Sequence, residues 1–371
     1  MLGAVGTTAV AWLASVVLVG GQAPPMAEEV FTNIQVLKGI SVSEFLGTMS
    51  FFASATGLNC SDCHSDASGG SWARYADDVP RKQRARQMVV MMNTINRTNF
   101  GGRQVVTCET CHRGNSTPSV LPSILRLYGE PPPDEPGDPF PQAPGQPLPD
   151  QVLDRYLEAL GGVQRLAGIT SFVAKGTQIG FDDADTVPMD MYARAPGQQT
   201  TIVHTLYGDR TTVVDGRSAW VAAPDAEKPV PLLTFTGLEL EGVNLEAQLL
   251  FPARIKELLT DVRVGWPILI DDREVQPVQG VTPGGVVVTL CFDTETGLLN
   301  RFVRVWASPV GPLRSQLDFS NYRAVSGVQM PFQWTVTWLG GRSHYVVTEV
   351  EPNVTIEEAR FARPAPSVPP R

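Results

Sequence analysis

Cysteine is scarce in this chain, with five residues in 371, and histidine is scarcer at four. Yet four of those cysteines and two of those histidines fall into two Cys-x-x-Cys-His pentads, "CSDCH" at 60–64 and "CETCH" at 108–112. Positive charge is also short: the formal charge is −9, which argues against a nucleic-acid binder. The first 27 residues have no charged side chain, and their apolar run, "AVAWLASVVLV" at 9–19, falls short of the ~20 residues that a membrane span needs. Residues 1–27 therefore read as a signal peptide, with "VGGQA" offering small residues for cleavage. An uncleaved anchor is the competing reading. No Lys or Arg precedes the apolar run, which fits neither, and no cysteine before Cys60 is there to carry a lipid. No paired nucleophile and base and no phosphate loop are legible, so the chain is expected not to be an enzyme.

Composition divides the remainder. Residues 30–120 hold both pentads with helical patterning between them. Residues 121–149 are a linker whose "PPPDEPGDPFPQAPGQPLP" (131–149) has nine prolines in nineteen positions, a composition that reads as extended polyproline-type chain. Residues 150–363 carry a β texture, and 364–371 form a tail. Charge separates along the same lines: net +3 over 31–120, net −7 over 150–371.

Cys-x-x-Cys-His is the c-type haem attachment signature. Two cysteines three positions apart lie on one helical turn and can form thioethers to the two vinyl groups of one porphyrin. The adjacent histidine then faces the iron. Cys60, Cys63 and His64 would hold one covalent haem, and Cys108, Cys111 and His112 a second. A four-cysteine zinc site fits the Cys-x-x-Cys knuckles but leaves two matching histidines without a role. A thioredoxin-like redox pair needs one motif in a β-α-β context that this region lacks.

The sixth ligand decides between catalysis and electron transfer. Ahead of the first pentad, "ISVSEFLGTMSFFASATGLNC" opens with the capping box Ser41-x-x-Glu44 and the Ile40–Phe45 staple. Val42, Phe45, Leu46, Met49, Phe52 and Ala53 then recur at helical spacing, and Gly57 ends the helix. Met49 lies on that apolar face, where it is either a ligand or a core residue. Ahead of the second pentad, "DDVPRKQRARQMVVMMNTIN" (77–96) places Ala85, Met88, Val89, Met92 and Ile95 on one side. Periodicity does not choose among Met88, Met91 and Met92. Arg81, Lys82, Arg84 and Arg86 make the start of this helix basic, which suits a solvated face or haem propionates.

"VLKGISVSEFLGTM", "CSDCH", "ARQMVVMMNTIN" and "VTCETCHRG" together resemble the cytochrome subunit of photosynthetic reaction centres. In that family a methionine-bearing helix precedes each pentad, and the haems relay electrons to a photo-oxidised partner. The resemblance implies Met49 and Met88 as axial ligands opposite His64 and His112. It covers about residues 30–118. The family subunit carries four haems where this chain has two pentads, and the loop "RTNFGGRQVV" lacks the histidine that the family lends to a later haem. The match is to half of the family's haem domain.

From Asp150 on, an amphipathic stretch, "DQVLDRYLEALGGVQRLAGI", precedes alternating runs separated by turns, such as "SFVAKGTQIGF", "TTIVHTLYG" and "FQWTVTW". "VNLEAQLLFPARIKELLT" reads as a helix covering one face. The pattern is similar to the half-barrel of periplasmic lipoprotein-carrier proteins, which implies a curved sheet whose concave face takes a lipid or acyl ligand. A docking or spacer domain fits the same pattern. His204 and His344 read as ordinary strand residues and Cys291 as a buried free thiol.

The expected fold is multidomain: a mainly α dihaem cytochrome c domain followed by an antiparallel β-rich, half-barrel-like domain. The expected function is an exported, periplasmic dihaem cytochrome between a redox donor and acceptor, one of them in a membrane-bound complex, with no nucleic acid. Two other classes stand beside it: a haem enzyme with an open distal site, and a lipid-binding protein with an accessory cytochrome.

Overall fold

In the computed structural model, residues 24–64, 72–122, 124, 128–129, 138–180, 185–224 and 229–367 are described; the apolar leader run and residues 130–137 of the Pro-rich segment lie outside them. The chain is anchored early. Helix α1 (Ala27–Val30) is one turn, fastened where Ala27 N–H donates to the Ile40 carbonyl at 2.9 Å and Val42 N–H to that of Pro25 at 3.2 Å. Pro25–Ala27, at the tail of the segment read as leader, thus belong to the folded body.

Helix α2 (Val42–Thr56) starts at the capping box read from the sequence: Ser41 Oγ accepts from Glu44 N–H, and the Glu44 carboxylate accepts from Ser41 N–H at 3.0 Å. Gly57 closes it at φ 65°, a left-handed cap that glycine takes without a Cβ penalty. Helices α3 (Cys60–Cys63) and α5 (Cys108–His112) are the single turns of the two pentads. Between them α4 (Pro80–Phe100) begins with proline in its first turn, where the missing N–H costs nothing.

The sheet comprises β1 (Ser171–Ile179), β2 (Val187–Arg194), β3 (Gln198–Thr205), β4 (Gly208–Val214), β5 (Ala219–Ala222), β6 (Leu232–Thr234), β7 (Thr260–Val264), β8 (Ile268–Ile270), β9 (Arg273–Val281), β10 (Val287–Asp293), β11 (Leu299–Trp306), β12 (Leu313–Val325), β13 (Val328–Trp338) and β14 (Gly341–Pro352). Every described pairing is antiparallel, in the order β6-β5-β4-β3-β2-β1-β14-β13-β12-β11-β10-β9-β7, with β8 on β9. The ends do not pair, so the sheet stays open. In β2 the alternation Val187, Met189, Met191, Ala193 points inward, as a period of two requires. In β10 all but the first residue is buried, because both its faces are covered.

Helices α6 (Pro149–Ala159), α7 (Val163–Ala167) and α8 (Gly237–Leu249) supply the cover, with a short 3-10 turn at Pro252–Glu257. The stretch read as one amphipathic run is two helices, broken where Gly161 and Gly162 take φ of 119° and 93°. Tyr156, Leu157, Leu245, Ile255, Phe292 and Phe302 meet in the largest core. The described part of the Pro-rich segment is not free chain. The Ala143 N–H donates to the Val264 carbonyl at 2.8 Å, and the Gln279 amide to that of Asp138 at 3.0 Å, laying residues 138–148 along β7 and β9.

Helix α2 joins the two halves. Phe51 packs with Val310 and Leu313, and Val42 with Val221, Ala223 and Leu233. Ser41 Oγ lies 2.6 Å from Thr236 Oγ1, and Ser43 Oγ donates to the Glu239 carboxylate. The helical third and the sheet therefore share core and polar contacts. Among the described residues, no helix is long and apolar enough to cross a membrane.

Candidate functional site

Each pentad turn is capped by its own residues. Asn59 Oδ1 accepts from Asp62 N–H at 3.1 Å, and the Asp62 carboxylate accepts from Asn59 N–H at 2.9 Å. In the second turn Thr110 Oγ1 accepts from Thr107 N–H at 3.0 Å. The middle residues of "CSDCH" and "CETCH" thus hold the single turns that bring their two cysteines to one side. "NCSD" and "TCET" carried that signal, which the attachment signature overshadowed.

The histidines share a second feature. His64 Nδ1 lies 2.9 Å from the Tyr75 carbonyl, and His112 Nδ1 lies 2.9 Å from that of Asn115. A carbonyl can only accept, so in both rings Nδ1 carries the proton and Nε2 keeps its lone pair. That is the tautomer, with the backbone partner, that a metal-ligating histidine has. The His64 ring also stacks on Tyr75, centroids 4.5 Å apart at 20°, and Trp72 meets Tyr75 edge-on at 4.7 Å. Burial holds the His64 imidazole below its usual range and Lys82 acts in the same direction, against the Tyr75 carbonyl. The neutral, ligating form is favoured.

All four pentad cysteines are unpaired; Cys60 and Cys111 are exposed, Cys63 and Cys108 half-buried. Burial pushes the Cys63 thiol up and that of Cys108 to about 11, which keeps them protonated and slow to oxidise. Among the described residues, no three or more His, Cys, Asp or Glu side chains converge as a metal site, so the cysteines do not meet as a zinc centre requires.

The methionines are sorted by burial. Met92 is 4 % exposed and locked in a core with Phe51, Ala55 and Val89. Met91 is 47 % exposed, and Met88 is half-buried. Met88, Met91 and Ile95 lie at i, i+3 and i+7 on the flank beside the buried Val89–Met92–Asn96 face. Helix α2 repeats this division. Its buried positions are Val42, Ser43, Thr48, Phe51 and Ala55, whereas Phe45, Met49, Phe52 and Ala53 are half-covered. Of the apolar stripe read from the sequence, Val42 is buried, while Phe45, Leu46, Met49, Phe52 and Ala53 are half-covered; Thr48, Phe51 and Ala55, which the periodicity did not single out, are buried more deeply. Each helix keeps a methionine-bearing apolar flank beside its packed one, and this fits a flat apolar group. Histidine tautomer, capped cysteine turns and incompletely covered flanks together suit two covalent haems.

Three of the four basic residues at the start of α4 are engaged rather than merely solvated. Arg81 donates to the Asp62 carbonyl at 2.8 Å, Lys82 to the Tyr75 carbonyl at 2.7 Å, and Arg86 pairs with Asp78 at 2.6 Å. They fasten the first pentad and the 72–78 loop to α4. Asn96 does the same for the second unit, and sequence reasoning missed it. Its Oδ1 accepts from Val105 N–H at 3.1 Å and Val106 N–H at 2.9 Å, while its Nδ2 donates to the Val106 carbonyl at 2.8 Å. Asn96→Leu should strand the Val106 N–H and carbonyl at a cost of about 1–3 kcal/mol, while Val105 N–H keeps the Arg103 carbonyl at 3.0 Å. The expected outcome, read by peptide mass spectrometry, is haem lost from Cys108–Cys111 and kept at Cys60–Cys63.

The two units touch. Gly114 N–H donates to the Ala55 carbonyl at 2.9 Å, and a Cβ on Gly57 would strike the Gly114 carbonyl. The other two histidines serve strands: His204 lies between Asp209 (2.8 Å) and Asp190 (3.2 Å), and His344 Nδ1 is 2.9 Å from Thr335 Oγ1. Cys291 is fully buried, and burial pushes its thiol up to about 12. Beneath α8, Leu245, Leu249, Ile255, Leu258, Leu259, Val288 and Leu290 leave no space that a water could enter.

Residues 11–124 match the family described as Photosynthetic reaction centre cytochrome C subunit. Over 100 residues the chain is 39% identical to the photosynthetic reaction center cytochrome c subunit of Thermochromatium tepidum, covering 25% of this chain and 23% of that protein. Over 102 residues it is 34% identical to the same subunit of Rubrivivax gelatinosus, 26% of each chain. The chain spans about a quarter of the length of these curated relatives. The C-terminal part has a LolA superfamily protein from Nitrosomonas europaea as a neighbour, at 12% identity and TM-score 0.39, covering 58% of this chain and 98% of that one. A putative outer membrane lipoprotein-sorting protein domain from Vibrio parahaemolyticus has 10% identity and TM-score 0.37, over 56% and 97%.

Proposed function

We propose that this chain, a cytochrome c related to the reaction-centre cytochrome c subunits, is an exported dihaem relay that passes single electrons between a donor and an acceptor protein, one of them in a membrane-bound complex. The observation that carries the reading is the matched pair of histidines, each with Nδ1–H given to a backbone carbonyl, which leaves the Nε2 lone pair for a metal. Bound haem supplies a one-electron redox centre. Cys60 and Cys63, and Cys108 and Cys111, would attach it, and His64, His112, Met49 and Met88 would ligate it. Met88 is preferred because Met92 is already used in the core and Met91 is the most exposed of the three. With a histidine and a methionine given to each haem, the chain's own side chains would leave no open position for a substrate, and transfer would be outer-sphere. Met/His ligation raises the potential of each site.

The test is carbon monoxide binding to the reduced protein, with covalent haem counted after denaturation. Wild type is expected to hold two haems and bind the gas slowly. Met88→Ala should open the second site to fast binding, and Met91→Ala should not. Fast binding by wild type would favour a haem enzyme with an open distal site. Fewer than two covalent haems would overturn the relay.

A further inference from the structure

The two histidine carbonyls differ in what else they hold. The Tyr75 carbonyl accepts from His64 Nδ1 at 2.9 Å and also from Lys82 Nζ at 2.7 Å. Lys82 reaches the Asp77 carbonyl as well, at 3.3 Å. The Asn115 carbonyl accepts from His112 Nδ1 at 2.9 Å, and no cation among the described residues donates to it. Among the described residues, the other charges around the first pentad lie in ion pairs: Arg81 with Asp62, Arg86 with Asp78, and Arg74 with Asp77. Lys82 is half-buried, one carbonyl away from the axial imidazole. Beside His112 the flanking charges, Glu109 and Arg113, are opposite in sign and exposed.

We infer that Lys82 is a positioning residue that raises the potential of the haem at Cys60–Cys63 above that of the haem at Cys108–Cys111. An electron shared within the chain then rests on the first site. The inference rests on the dihaem reading above. Two effects act with one sign. A fixed cation favours the site that gains the electron, because reduction removes a unit of positive charge beside it. An ammonium polarising the Tyr75 carbonyl also leaves that oxygen a weaker acceptor for His64 Nδ1–H. The ring keeps less anionic character, so it stabilises oxidised iron less. The internal step moves one electron from the Cys108–Cys111 haem, which is oxidised, to the Cys60–Cys63 haem, which is reduced, and no bond or proton changes place. Coulomb's law at the effective dielectric of a protein surface puts the bias at about tenfold, or about 59 mV for one electron.

A redox titration of the full holoprotein tests this. Wild type should show two one-electron components, and the lower one should match the single component left in a Cys60→Ser, Cys63→Ser variant. Lys82→Met should lower the upper component by about tenfold in the equilibrium and leave the other in place. Lys82→Arg should restore it. Lys82→Gln, which keeps a donor without the charge, replaces Lys82→Met where that variant loses haem. Unchanged components, or an equal fall in both, would overturn the assignment to Lys82. A single component from a protein that holds two covalent haems would overturn it too, whereas fewer than two covalent haems would instead overturn the dihaem relay itself.

Discussion

Cys60→Ser combined with Cys63→Ser is expected to leave one covalent haem per chain where the proposed relay has two. Each attachment turn is self-contained: the first has the Asn59–Asp62 cap and the Tyr75 carbonyl for His64, the second the Thr107–Thr110 cap and the Asn115 carbonyl for His112. The described structure shows no side chain that caps or orients both. Loss of one pair of thioethers should therefore be local, and peptide mapping should find the remaining haem on Cys108 and Cys111. The contacts between the units, Gly114 N–H on the Ala55 carbonyl, Arg81 on the Asp62 carbonyl and the core of Phe51, Ala55, Val89 and Met92, use neither Cys60 nor Cys63 and survive the substitution. Loss of both haems would show that the second attachment depends on the first, and the two-unit reading would fail. Two covalent haems in the variant would exclude Cys60 and Cys63 as the attachment points.

Phe51→Ala has the largest expected effect on stability. Phe51 is 5 % exposed and packs where α2, α4 and the 310–313 segment meet. Its ring lies so close over Gly311, φ 158°, that a Cβ there would collide with it. Removing a buried ring without local collapse costs about 3–5 kcal/mol, a large part of the ~5–15 kcal/mol that stabilises a domain. The unfolding midpoint should fall by roughly 6–20 °C in a calorimetric scan. Phe52→Ala is the informative control. That side chain is half-covered on the methionine flank, so its removal should cost less stability and should instead perturb the haem spectrum. Equal losses in the two variants would mean that the flanks of α2 are not divided between protein and haem.

That division explains how the sequence and the structure disagree about α2. Phe45, Met49, Phe52 and Ala53 are the obvious apolar stripe, and periodicity assigns such a stripe to the core. The structure buries Thr48, Phe51 and Ala55 more deeply, with Thr48 Oγ1 returned to the Glu44 carbonyl at 2.8 Å. A helix between a protein core and a cofactor is apolar on both sides, and period alone does not say which side meets protein. The same ambiguity left Met88, Met91 and Met92 equivalent until burial separated them. In the sheet, β10 reads as a strand and 243–260 as a helix covering one face, yet nothing local announces that Leu245, Leu249, Leu258 and Leu259 come to lie against Val288 and Leu290.

By itself the sequence determined what depends on neighbours three or four positions apart. The pentads, the Ser41–Glu44 box, the Gly57 cap and the alternation of the strands are short-range patterns, and each is closed by residues a few positions away. Tertiary structure alone decided the partners that arrive from afar. Tyr75 reaches His64 across eleven positions, and Thr236 reaches Ser41 across nearly two hundred. Asn96 closes on Val105 and Val106 only after the chain has turned back at Gly101 and Gly102. These contacts set histidine tautomer, the charge beside His64, and the docking of α2 on the sheet. None follows from local spacing, because each needs two segments brought together by the burial of apolar surface elsewhere in the chain.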